Sequence, residues 1–267
     1  MSKSRPANKT TKSGFTIVEI SIATAFISIL MIVISVVIIN IVGIYQKGTV
    51  MKNLNSTGRA LVDDIEKSIE AASPANVISK DQTTTKYQWD KYYNQNSDSN
   101  IGVFCPGQYS YIWAGPNREG EIANVTLRYG NNKNRSGFRL LKVKDRDRNI
   151  CQKFDSSNPA SINLGSSINI DNSNIEELLD SNDVDLYVLS FSANEVDGKI
   201  SKNQVASNVS EVFFSGDFTL GTKRGTQYDT DTQLSNCKVG ANDTEGEFNY
   251  CAVNKFKFAA RTAGKVF

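Results

Sequence analysis

Residues 15–45 read FTIVEISIATAFISILMIVISVVIINIVGIY, and this stretch decides the fold of the N-terminal part of the chain. Its one charged side chain is Glu19, and Ile, Val, Leu, Ala and Phe dominate the rest. An α-helix of this length extends about 45 Å, whereas the hydrocarbon core of a bilayer is about 30 Å thick. The stretch therefore predicts a transmembrane helix whose far end projects beyond the membrane.

The segment before this helix, residues 1–14, is basic. Its charged side chains are Lys3, Arg5, Lys9 and Lys12. Positive residues beside a span stay on the cytoplasmic side, which predicts a cytoplasmic N-terminus and an exported chain after Tyr45. Removing these 4 from the 30 Lys and Arg leaves 26 basic residues against 28 Asp and Glu. That balance gives no support for nucleic-acid binding by the isolated head.

The junction between the basic segment and the apolar run reads KSGFTIVE over residues 12–19. A secretory signal peptide would carry its cleavage site after the apolar run, whereas the candidate site here precedes it. The junction resembles the cleavage and methylation motif of type IV prepilins: a short basic leader ending in glycine, then phenylalanine, with glutamate as the fifth mature residue. The resemblance implies that a prepilin peptidase removes residues 1–14 by cutting between Gly14 and Phe15, and that Phe15 becomes N-methylated.

Glu19 is the polar residue that the membrane segment has to accommodate. A carboxylate at the centre of a bilayer costs roughly 2.5 to 3.5 kcal/mol on insertion scales. The resemblance to prepilins implies that Glu19 neutralises the N-terminal amine of a neighbouring subunit during assembly. The alternative is a glutamate that extends toward the cytoplasmic headgroups, only a turn inside the span.

After Tyr45 the chain continues as an amphipathic pattern, predicted to form the second half of the same helix over residues 46–73. Apolar residues recur there at steps of three and four, namely Val50, Met51, Leu54, Leu61, Val62, Ile65, Ile69 and Ala72. Gly43, Gly48 and Gly58 weaken the pattern, and Pro74 ends it. Residues 59–72 also resemble the corresponding helix of large minor pilins of the W type and of J-type secretion pseudopilins.

Residues 74–267 are predicted to form a β-rich extracytoplasmic head, because strand-like runs alternate with Asn, Ser, Asp and Gly. The predicted strands are Tyr109–Trp113, Val125–Tyr129, Phe138–Val143, Leu186–Phe191, Val209–Phe214 and Phe248–Ala259. A short helix is expected at Asn174–Leu179, with polar loops at 94–100 and 156–173. The predicted fold class is α+β, a long N-terminal helix packed on an antiparallel β-rich head.

All four cysteines lie beyond the predicted span, in the exported part of the chain. An even number of cysteines outside the cell predicts disulfides, and four cysteines allow three connectivities. Proximity favours Cys237 with Cys251 across a hairpin, which leaves Cys105 with Cys151.

The chain contains no histidine, which excludes Ser-His-Asp triads, Cys-His pairs and HExxH metal sites. We therefore expect no enzymatic activity, cofactor or metal. Acidic residues at 229, 231, 243, 245 and 247 favour solvated turns over a calcium site, since neither group fits an EF-hand loop. Aromatic residues at 87, 89, 92 and 93 are expected to pack beneath a loop, the alternative being an adhesive surface.

These features together predict a minor pilin or pseudopilin. Such a subunit would join a type IV pilus or a secretion filament from the inner membrane of a bacterium, and initiation of the filament is a further role that the prediction leaves open. The expected partners are other pilin subunits, the prepilin peptidase, the inner-membrane assembly platform and membrane lipid. Two alternatives stay open: a pilus-tip adhesin whose head binds a specific ligand, and a membrane-anchored exoenzyme.

Overall fold

The computed structural model describes residues 14–72, 90–93, 100–115, 126–129, 133–146, 150–151, 161–163, 174–179, 185–197, 213–223, 226–228, 235–237 and 250–262. The long helix α1 spans Ile17–Glu70. The strands are β1 (Asp90–Tyr93), β2 (Asn100–Phe104), β3 (Tyr109–Gly115), β4 (Thr126–Tyr129), β5 (Lys133–Ser136), β6 (Leu140–Lys144), β7 (Ser161–Asn163), β8 (Ile175–Glu177), β9 (Leu186–Asp197), β10 (Phe213–Thr222), β11 (Thr226–Tyr228), β12 (Ser235–Cys237) and β13 (Val253–Arg261).

Helix α1 is continuous over 54 residues, so the apolar run and the amphipathic pattern form one element as predicted. It ends just after Glu70, where the Ala72 N–H donates to the carbonyl of Ile69 at 3.0 Å, a tighter turn than that of an α-helix. Pro74, two residues further on in the sequence, cannot continue a helix. The chain divides into two compact units, Met1–Tyr45 and Gln46–Phe267, and the second unit contains the rest of α1 and the head.

The head contains two main antiparallel sheets. Five strands pair in the order β1-β2-β3-β6-β8, and three strands pair in the order β13-β10-β9. Two smaller sheets have the orders β5-β4-β7 and β11-β12, and the β4–β7 pair is parallel. The protein is therefore an α+β protein with a long N-terminal helix packed on a mainly antiparallel β head, as the sequence predicted.

The amphipathic half of α1 buries its apolar stripe against this head. Its buried residues are Val50, Leu54, Leu61, Ile65, Ile69 and Ala72, and they join one core cluster with aromatic residues of both main sheets. Leu54 and Ile69 are completely buried. Burial of a side chain of this size contributes about 1.5 to 3 kcal/mol, which makes the stripe the main attachment of α1 to the sheets.

A second core cluster lies on the other face of the five-stranded sheet. Alternate residues of one strand divide between the clusters, because Tyr111 and Trp113 belong to the first and Ile112 belongs to the second. Strand β3 is therefore buried on both faces, which explains the apolar and aromatic run from Tyr111 to Ala114.

Each of the six predicted strands overlaps an observed one, but two local predictions are wrong. Residues 174–179 do not form a helix, since Ile175–Glu177 is strand β8, paired antiparallel with β6. Ile175 is buried and the Glu177 carboxylate accepts hydrogen bonds from Arg135 and from the Arg139 backbone, contacts that override the helical preference of the local sequence. The predicted loop 156–173 contains strand β7, and its other residues lie outside the described ranges.

Candidate functional site

The start of α1 is fixed by a reciprocal pair of hydrogen bonds between Thr16 and Glu19. One carboxylate oxygen of Glu19 accepts the backbone N–H and the hydroxyl of Thr16, each at 2.9 Å. In return the Thr16 hydroxyl oxygen accepts the Glu19 N–H at 3.3 Å. This is a capping box, in which Thr16 is the N-cap residue and Glu19 occupies the third helical position. The T-x-x-E pattern typical of such a box is present in the sequence, although Thr16 was not among the predicted functional residues.

Gly14 and Phe15 lie immediately outside the helix, before the cap. Phe15 is 84% exposed. A Cβ atom added to Gly14 would meet nothing within 4 Å, so the fold itself does not require glycine at this position. The structure thus places Gly14, Phe15 and Glu19 within one short, accessible segment, while their roles in cleavage, methylation and docking stay predictions.

The first half of α1 exposes a predominantly apolar surface. From Phe15 to Tyr45 the large apolar side chains are exposed, and α1 contains a stretch long and apolar enough to cross a membrane. Its hydroxyl groups donate to backbone carbonyls within the helix, as Ser21 does to Ile17 and Ser28 does to Thr24. Such hydroxyls need no water, so this surface is suited to lipid or to other apolar helices.

A polar cluster joins the second half of α1 to the five-stranded sheet. Asp64 accepts a hydrogen bond from the Tyr111 hydroxyl at 2.9 Å through one oxygen, and its other oxygen lies 2.5 Å from the Lys142 ammonium. Ser68, one turn further along α1, lies 2.5 Å from the same tyrosine hydroxyl. Because the tyrosine proton goes to Asp64, Ser68 is the donor in that contact.

The Tyr111 end of this cluster is shielded from water. Tyr111 is 1% exposed, and burial raises the pKa of its hydroxyl well above the ordinary value, with the nearby Asp64 carboxylate adding to the shift. The Lys142 ammonium also lies 4.5 Å from the centre of the Tyr109 ring, a cation–π contact. The cluster is best explained as a structural attachment between α1 and the head, since its polar groups form hydrogen bonds and an ion pair with one another.

Both disulfides have the partners that the sequence favoured. Cys105 is joined to Cys151 over 46 residues, and Cys237 is joined to Cys251 over 14 residues. The first bond is buried in the second core cluster, while the second bond ties strand β12 to the segment just before β13. Both bonds are compatible with the oxidising environment predicted for the head.

The other candidate sites of the head receive little structural description. The acidic positions 229, 231, 243, 245 and 247 lie outside the described residues, as do aromatic positions 87 and 89. Positions 92 and 93 belong to β1, without a description of their side chains. Within the ranges that the structure describes, no group of three or more His, Cys, Asp or Glu side chains is arranged to hold a metal ion.

A scan against protein-family models, a search of curated proteins and a search of solved structures each find no match to this chain.

Proposed function

We propose that this chain is a minor pilin or pseudopilin, a subunit that is processed at the inner membrane of a bacterium and assembled into a type IV pilus or secretion filament. The observation that carries the proposal is the continuity of α1. One helix begins at a prepilin-like motif, exposes an apolar surface over its first half and anchors a β head with its second half. A membrane anchor alone would need only about 20 apolar residues, without a helical continuation of this length.

The environment of Gly14 supports the processing step. Because nothing in the structure crowds this position, a requirement for glycine would come from an external partner such as a peptidase cleft. The bond between Gly14 and Phe15 also lies outside the helix, and a protease needs an extended, accessible substrate. Loss of the basic segment would remove charges that could not follow the helix into an apolar filament core.

The geometry of Glu19 supports the assembly step. Its carboxylate is held at the start of the helix by Thr16, and its two bonds from that residue use a single oxygen. A carboxylate has about four acceptor positions, so Glu19 can cap its own helix and still accept the Phe15 amine of a neighbouring subunit. Pairing the two charges would offset the cost of placing either one in an apolar filament core.

The replacement Glu19→Gln tests this proposal. Glutamine can also occupy the third position of a capping box, so the substitution removes the charge and retains the cap. The matched control is Glu70→Gln, at an exposed glutamate in the last turn of the same helix. We expect Glu19→Gln to leave membrane insertion and cleavage intact and to deplete the subunit from sheared filaments, while Glu70→Gln assembles normally.

The alternative, a Glu19 that only extends to the headgroups, predicts a different result. Removal of the charge would then slightly improve insertion and leave filament content unchanged. Mass spectrometry of the membrane fraction should also find Phe15 as the N-terminal residue, methylated. Normal incorporation of Glu19→Gln, or an intact leader in assembled material, would contradict the proposal.

A further inference from the structure

Strand β13 is the outermost described strand of the three-stranded sheet. It pairs with β10 over nine consecutive residues without a register shift, from Val253 to Arg261. In the part of the chain that the structure describes, no strand pairs with its other side. A long, regular edge of this kind presents backbone donors and acceptors to any chain that can align with it.

The hydrogen bonds of Ala259 identify which backbone groups point outward. Its N–H donates to the Glu66 carboxylate of α1 at 3.0 Å, so it faces away from β10. In an antiparallel strand the N–H and C=O of one residue point to the same side, and residues two apart share that side. Lys255 and Lys257 therefore also point outward, in agreement with the Lys255 N–H, which donates to the side chain of Asn254 at 2.9 Å.

The side chains along this edge are basic. Lys255, Lys257 and Arg261 are exposed, whereas the alternate residues Phe256 and Phe258 are buried against the head. Lys255 has a counter-ion within the sheet, since its ammonium lies 2.8 Å from the Asp217 carboxylate. The outward-facing backbone groups and the row of positive charges thus belong to the same residues.

The charge pattern also restricts what could pair with the edge. A second copy of β13 would place lysines and arginine opposite one another, which destabilises a strand pair. An acidic strand would instead bring carboxylates beside Lys257. The structure already contains a small example of such an interaction, because a carboxylate, that of Glu66, occupies the outward N–H of Ala259.

We propose that the outer edge of β13 binds an extended acidic segment of another polypeptide, which adds a strand to the sheet. The backbone hydrogen bonds would supply a register, and the basic side chains would select for acidic sequences. Glu66 competes with the incoming strand for the Ala259 N–H, so it limits access to the edge. The inference does not depend on filament assembly.

A binding experiment on the full chain in detergent micelles tests this proposal. The probe is a fluorescent peptide of about ten residues that alternates Glu and Val, a length that covers the edge. Controls are the same peptide N-methylated at every second backbone nitrogen, a Lys-Val peptide, and a single-stranded oligonucleotide of equal negative charge. We expect the Glu-Val peptide to bind at least about tenfold more tightly than each control, as measured by fluorescence anisotropy.

Variants of the protein separate backbone pairing from charge. Lys257→Thr removes a charge and keeps the outward N–H, whereas Lys257→Pro removes both and leaves the bonds to β10 in place, because proline is tolerated on edge strands. We expect Lys257→Pro to weaken binding several-fold more than Lys257→Thr. Lys133→Glu, at an exposed residue of β5, should have no effect, and Glu66→Ala should bind more tightly.

Three results would overturn the proposal: no binding of the Glu-Val peptide, equal binding of its N-methylated form, or equal binding of the oligonucleotide. The comparison between the two peptides needs no variant, so it decides the question even where Lys257→Pro fails to fold.

Discussion

The polar cluster around Asp64 and Tyr111 tests which contacts attach α1 to the head. Asp64→Ala would remove the carboxylate that accepts from the Tyr111 hydroxyl and pairs with Lys142, and would leave that hydroxyl only the Asp64 backbone carbonyl at 3.2 Å and Ser68. Hydrogen bonds to charged groups contribute about 1.5 to 3 kcal/mol each, but part of this is lost to solvent screening, since the Asp64 side chain is 29% exposed. We expect the free energy of unfolding of the head to fall by about 2 kcal/mol.

Asp63, the residue next to Asp64 in the chain, supplies a matched control for Asp64→Ala. Asp63 is on the same turn of α1 and is exposed, so Asp63→Ala changes the helix propensity equally without touching the head. Its effect should lie within about 0.5 kcal/mol of zero. Urea titration of the full chain in micelles, followed by tryptophan fluorescence, measures both variants, because Trp113 is completely buried.

A double-mutant cycle with Lys142→Ala then isolates the ion pair. The Lys142 side chain is only 14% exposed, so a lysine left without Asp64 would be largely desolvated and would lack a counter-ion. We expect a coupling energy of about 1 kcal/mol, which decreases at high salt. If Asp64→Ala costs no more than Asp63→Ala, or if the coupling energy is zero, then the cluster does not hold the helix and the apolar stripe alone does so.

Three further predictions concern the head. Gly58→Ala should destabilise the head by about 1 kcal/mol, because a Cβ at Gly58 would lie 2.1 Å from the Phe256 ring. Gly48→Ala should stabilise it by up to about 1 kcal/mol, since nothing lies within 4 Å of a Cβ there and alanine favours a helix. Urea titration measures both changes. Replacing both cysteines of the Cys105–Cys151 bond by alanine should cost about 4 kcal/mol, against about 3 kcal/mol for the bond that closes 14 residues, and equal costs would contradict the chain-entropy explanation. The raised pKa of Tyr111 should make the free energy of unfolding fall above pH ~10, by up to about 1.4 kcal/mol per pH unit, because the unfolded chain loses this proton there and the folded head retains it. Tyr111→Phe should remove this pH dependence. Identical alkaline slopes for the two proteins would contradict the prediction.

The sequence alone determined the features that depend on neighbouring residues. Helix α1 was predicted from a long apolar run followed by apolar residues at steps of three and four. Such patterns can be read from the sequence because the hydrogen bonds and the amphipathic face of a helix involve residues close together in the chain. The same locality placed the candidate processing residues Gly14, Phe15 and Glu19 in one segment. It would also have revealed the capping role of Thr16, had the T-x-x-E pattern been considered. Proximity along the chain favoured the disulfide partners that the structure shows, although four cysteines allow three connectivities.

Only the tertiary structure decided the features that depend on residues far apart in the chain. Gly58 weakens a helix when judged locally, yet it is the position where the Phe256 ring approaches α1 across 198 residues. Residues 175–177 form a strand because β6 offers a pairing edge, although their local pattern favours a helix. The partners of Asp64 lie 47 and 78 residues away. No local pattern encodes such pairings, because they arise only when the packing of α1 and the sheets brings the side chains together.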